Sequence, residues 1–120
     1  MTQPPDARVQ PSTVVTFRVV WGAGHCALGG HVEEHWLPVL GPTCYLLARR
    51  VILHGGDGGD IGFTYRELAD ALGVAPSKAR DAIHRLIRFG PVSTEDEGHV
   101  IVVPNGWPEA PQRHHRPAPG

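Results

Sequence analysis

Two stretches of the sequence carry side chains able to do chemistry. The first runs from His25-Cys26 to His31-x-x-x-His35. Imidazole nitrogen and thiolate sulfur are the donors that zinc takes, and two histidines at i, i+4 on a helix can share one ion. His25, Cys26, His31 and His35 are therefore the metal candidates for Zn²⁺, with Cys44 as a further donor. No Cys-x-x-Cys and no His-Glu-x-x-His occurs, however, so the spacing matches no familiar zinc signature. Surface histidines beside one reactive or buried thiol are the plainer account, and no cofactor is expected. The second stretch is 77–90, where Lys78, Arg80, Arg85 and Arg88 against Asp81 give a local charge of +3. Cations on one side of a helix suit phosphates and guanine edges.

Catalysis finds little footing. Glu33-Glu34 beside His31 and His35 contains an acid and a base, but neighbouring residues point apart. Gly55-Gly-Asp-Gly-Gly59 follows a helical pattern and lacks the Lys-Ser/Thr of a phosphate-cradling loop. A non-enzyme is expected.

Several elements must position these residues. Val14 to Trp21 is β-branched and aromatic and reads as a strand, a free edge able to pair with a second copy or extend the sheet of the hairpin read at 92–103. Gly22 to Gly30 reads as a loop, and His31 to Leu37 as a short helix ended by Pro38. Gly41-Pro42 opens the next helix, whose Cys44, Leu47, Ala48 and Val51 fall at i, i+3, i+4, i+7. Ile61-Gly-Phe63 is a very short strand. Thr64-Tyr-Arg-Glu67 is a capping box at the head of a short amphipathic helix. Gly73 closes that helix, and Pro76 starts another whose apolar face is Ala79, Ala82, Ile83, Leu86 and Ile87. Val92-Ser-Thr94, an acidic turn Glu95-Asp-Glu-Gly98, and His99 to Val103 read as a β-hairpin.

Helix, short strand, capped helix, short turn, helix and hairpin specify a three-helix winged helix-turn-helix. The expected fold is α+β, mainly helical, with a C-terminal β-hairpin wing and an extra N-terminal strand. Its helix-turn-helix covers 64–89 and its wing 92–103 within a domain over 13–107. Pro-rich arms over 1–12 and 108–120 flank it. Thr64 to Gly90 also resembles the bacterial and phage-type winged helix-turn-helix DNA-binding family. Glu67-Leu68-Ala69 and Leu72-Gly73-Val74 stand where that family has E-L-A-x-x-L-G-V, with Leu86 and Gly90 ending its recognition helix. Trp36 to Tyr45 is similar to the entry of helix 1 in some plasmid and phage initiator or regulator modules.

The resemblance implies DNA contacts from Ser77, Lys78, Arg80, Asp81, His84, Arg85 and Arg88, with Arg49, Arg50 and Arg66 adding backbone contacts. It also implies a double-stranded DNA partner and, because one helix reads few base pairs, a homodimer. The wing tip Glu95-Asp96-Glu97 departs from the family by being acidic. Phosphates would repel it, so it is expected to stay off DNA or to meet a protein, while Arg113-His-His-Arg116 lies along the backbone. A sequence-specific transcriptional regulator is the resulting expectation. The alternatives are a protein-interaction module docking on a transcription or replication partner, and a plasmid or phage replication initiator.

Composition narrows the field. The 120 residues suffice for one domain, and 11 Lys+Arg against 12 Asp+Glu give a net charge of −1. That near-neutrality hides the +3 on 77–90 and the acid of the wing tip and Glu33-Glu34. The longest stretch free of charged residues and histidine, Trp36 to Ala48, is broken by Pro38, Gly41 and Pro42 and falls short of the about 20 residues that span a bilayer. No basic head and apolar core of a signal peptide is visible at the start, and two cysteines do not make a disulfide scaffold. A cytoplasmic protein with free thiols is expected.

Overall fold

The computed structural model of the chain describes residues 9–55 and 59–111. The expectations for residues 1–8 and for the Arg113–Arg116 arm lie outside the described residues. The β-branched run at the start forms β1 (Val14–Val20), and it extends the hairpin sheet, one of the two pairings expected of it. On one side it pairs antiparallel with β3 (Asp60–Thr64), Phe17 opposite Ile61. On the other it pairs parallel with β5 (Val100–Pro104), Phe17 opposite Ile101. β4 (Ser93–Glu95) lies beyond β5, giving the order β3-β1-β5-β4. The expected hairpin thus forms, with Glu95 opposite Val100. Two short strands, β2 (His25–Cys26) and β6 (Gly106–Trp107), make a separate antiparallel pair. Gly106 permits this crossing, because a methyl group there would overlap the Gly22 carbonyl.

Four helices accompany the sheets: α1 (Gly30–Leu40), α2 (Pro42–His54), α3 (Tyr65–Leu72) and α4 (Pro76–Phe89). The expected three-helix winged helix-turn-helix with a single hairpin wing is therefore not the architecture. A fourth helix, a mixed four-stranded sheet and a separate two-stranded sheet replace it. The reason on the sheet side is that β1 inserts between β3 and β5, where both of its edges find partners.

On the helix side, Pro38 does not stop α1. The proline forfeits a backbone bond to the carbonyl of Glu34, an exposed residue that water can serve. Beyond it Val39 and Leu40 are buried, and their carbonyls accept from Arg85 Nη2 at 3.0 Å and Nε at 2.7 Å. Packing and this borrowed cap hold the last turn in place.

The core lies between the four-stranded sheet and the helices. Phe17, Val19, Ile101 and Val103 face Leu47, Ala48 and Val51 of α2 and Leu86 of α4. Trp107 is fully buried, edge-on to Trp36 of α1 at 5.4 Å and to Tyr45 of α2 at 6.3 Å between ring centres. On the opposite sheet face Arg18 stretches from Asp60 of β3 (2.7 Å) to Glu95 of β4 (2.6 Å), its stem running past Val102. Val9 is buried, and the carbonyls of Pro11 and Thr13 accept from the amides of Arg66 and Tyr65. Residues 9–12, expected to belong to a loose arm, are thus docked on the start of α3.

Candidate nucleic-acid interface and metal cluster

α3 begins as its sequence dictates. The Thr64 amide donates to Glu67 Oε1 at 2.8 Å and the Glu67 amide to Thr64 Oγ1 at 3.0 Å, completing the capping box. With Tyr65 and Arg66 amides taken by the 11–13 segment, the head of α3 is turned into the protein. Gly73 at φ 71° ends the helix in the left-handed conformation, and the Val74 amide bonds the Ala69 carbonyl at 3.0 Å. α4 then starts at Pro76 with no side-chain cap from Ala75.

α4 is strongly two-faced. Ala79, Ala82, Ile83 and Leu86 are buried, while Lys78, Asp81, His84 and Arg88 are exposed on the other side. Helical spacing puts those four in one outward row. Among the described residues neither Lys78 nor Arg88 pairs with a carboxylate. Arg80 sits on the flank, half-buried, with Nη2 3.4 Å from Asp81 and Nε hydrogen-bonded to nothing among the described residues. Ser77 is half-buried.

Two of the arginines in the expected contact set also make hydrogen bonds within the protein, Arg85 while exposed. Arg85 holds the carbonyl end of α1, with its guanidinium 5.2 Å from the Phe89 ring centre. Arg49 donates to the Leu28 carbonyl at 3.2 Å and is half-buried. Arg50 of α2 and Arg66 of α3 are exposed. The acidic turn is partly neutralised, since Glu95 is bound by Arg18 while Asp96 and Glu97 stay exposed, each at φ 55°. A cleft of about 420 Å³ separates the α1–α2 junction from Lys78, Asp81 and Arg85.

The histidine cluster forms at the other end of α1. Register pairs His25 with Trp107, while the Trp36 indole N–H donates to the Pro108 carbonyl at 2.9 Å. Together these place Glu109 over the first turn of α1. Its carboxylate lies 2.7 Å from His25 Nε2 and 3.6 Å from His31 Nε2. The His25 and His31 rings stack at 3.6 Å, and His35 follows at 4.4 Å from His31. His25, His31 and Glu109 bring one ligand atom each within 4.8 Å of one another, so the cluster can coordinate a metal ion. The hydrogen bond from His25, reinforced by the charge of both imidazoles, holds the Glu109 carboxyl below the usual carboxylate range.

Neither cysteine joins them. Cys26 is next to His25 on a strand, so it points the other way, toward a cleft lined by Trp21, Leu28 and Leu53. Cys44 is buried, donates to the Ala82 carbonyl at 3.3 Å, and has its thiol pushed up to about 12 by burial, against the opposing charge of Arg85. Glu109 was hidden in the sequence by the prolines around it, which read as a loose tail. The one signal for it was its place two residues after Trp107. In comparison with known proteins, the chain matches no family model, no curated protein and no solved structure.

Proposed function

We propose that the protein is a cytoplasmic, non-enzymatic DNA-binding regulator that reads a short site with α4. One observation carries this reading. α4 is fixed by its apolar face against α2 and α3, and it presents Lys78, Asp81, His84 and Arg88 outward in one row. A helix so mounted fits a major groove about 12 Å wide. Lys78 and Arg88 neutralise phosphates, with Arg50 and Arg66 as further backbone anchors. Asp81 and His84 face base edges, where a carboxylate accepts from cytosine, while Ser77 and Arg80 flank them half-buried. Arg85 and Arg49 serve α1 and the Leu28 carbonyl instead. One such helix reads only a few base pairs, so the functional unit is a homodimer on a two-fold site.

Titrating random duplexes at two salt concentrations tests this. Lys78→Ala/Arg88→Ala is expected to weaken binding and to lower the salt slope by about 1.8, or roughly 0.9 for each phosphate that is no longer neutralised. Wild-type protein that binds no duplex at low salt overturns the proposal and favours protein docking through the exposed tip Asp96-Glu97.

A second reading is supported by the 4.8 Å convergence of His25, His31 and Glu109. Two imidazoles and one carboxylate suit a divalent ion of the zinc class.

A further inference from the structure

The three candidate ligands come from three separate segments: His25 from β2, His31 from the first turn of α1, and Glu109 from the chain just after β6. Trp107 anchors that segment in the core, and the hold is lighter beyond it, where Ala110 is only partly buried. β6 pairs with β2 over two residues, and a single indole bond from Trp36 secures the Pro108 carbonyl. The Glu109 contacts to His25 and His31 are solvent-exposed imidazole–carboxylate contacts, a kind that contributes little by itself. Resting on the zinc-class reading above, we propose that an ion held by His25, His31 and Glu109 clips the end of the domain to the start of α1.

Geometry favours a clip over a casual contact. Four donors about 2.1 Å from a tetrahedral zinc ion stand roughly 3.4 Å apart, so ligand atoms already within 4.8 Å close onto the ion with a small movement. The positive end of the α1 dipole opposes a cation at His31, which makes the Glu109 carboxylate indispensable rather than supplementary. Two nitrogen donors with one oxygen select zinc, nickel or copper over magnesium and calcium, which demand oxygen cages. An ion bonded to positions 25, 31 and 109 closes nearly the whole described chain into a loop. Occupancy therefore orders the chain end in the way a cross-link does. The clip is conditional on metal supply, and it acts at the opposite end of α1 from the carbonyls that Arg85 holds.

Untagged full-length protein is dialysed against Zn²⁺, and separately against Mg²⁺ and Ca²⁺. Bound metal is counted, and amide exchange is followed at Gly106, Trp107, Glu109 and Ala110. The clip predicts one equivalent of zinc, no magnesium or calcium, and exchange at these amides slowed by about tenfold or more. Glu109→Gln and His31→Ala each weaken zinc binding by at least about tenfold, while His114→Ala/His115→Ala keeps it. Zinc bound with unchanged exchange overturns the clip and leaves the metal reading standing. No zinc bound, or binding that survives Glu109→Gln and His31→Ala or disappears in His114→Ala/His115→Ala, overturns both.

Discussion

Arg85 and Lys78 show how two cations on one helix come to do different work. They lie two turns apart, yet the Arg85 fork reaches the carbonyls of Val39 and Leu40 while Lys78 has no carboxylate partner among the described residues. Arg85→Ala leaves the last turn of α1 uncapped and is expected to cost about 1–3 kcal/mol of stability, read by urea unfolding. The salt slope of DNA binding should not move. A stable variant with a reduced slope would return Arg85 to the contact surface. The two thiols divide in the same manner. Burial raises the Cys44 thiol to about 12, so its thiolate is scarce at pH 8, whereas Cys26 is exposed. A disulfide reagent should label one thiol in the native protein and two in denaturant. Rapid labelling of both without denaturant contradicts the packing described for α2 and α4.

At the scale of elements, α3 is the clearest case of local chemistry deciding structure. Thr64→Ala removes the hydroxyl that accepts from the Glu67 amide and should destabilise the protein by about 1 kcal/mol, measured by the thermal midpoint. An unchanged midpoint would mean that the 11–13 segment alone secures the helix start. The capping box, the Gly73 terminus and the apolar stripes of α2 and α4 were all legible in the sequence, because each is a pattern within a few residues. What was not legible depends on distant partners. Nothing near Val14–Val20 announces that it enters a sheet between β3 and β5, since strand patterning carries no pairing order. Pro38 was a sound helix stop by local rules, and an arginine far along the chain overrode it. Of the metal set, His25 and His31 were visible as spacing. Glu109 came to them only through the β2–β6 pairing, while Cys26 was turned away by strand alternation.

Across the whole molecule, charge is arranged so that a net −1 conceals separate patches. Arg18 ties β3 to β4 through Asp60 and Glu95, holding the Asp60 carboxyl below its ordinary value chiefly by the hydrogen bond it donates. Protonating Asp60 is thus harder in the folded chain than in the unfolded one. Its stabilisation is present above about pH 4 and lost as pH falls through the lower folded value. The difference in thermal midpoint between wild type and Asp60→Asn should shrink from pH 7 to pH 2, and a difference that persists at pH 2 would contradict the linkage. By engaging Glu95, the same arginine reduces the acid on the β4–β5 turn, which leaves the positive face of α4 as the surface proposed to meet DNA. Selection from a random duplex pool tests that claim most directly. Wild-type protein should enrich a short motif repeated with two-fold symmetry, and Lys78→Ala/Arg88→Ala should not; a pool that stays random after selection with the wild type would contradict DNA reading by α4.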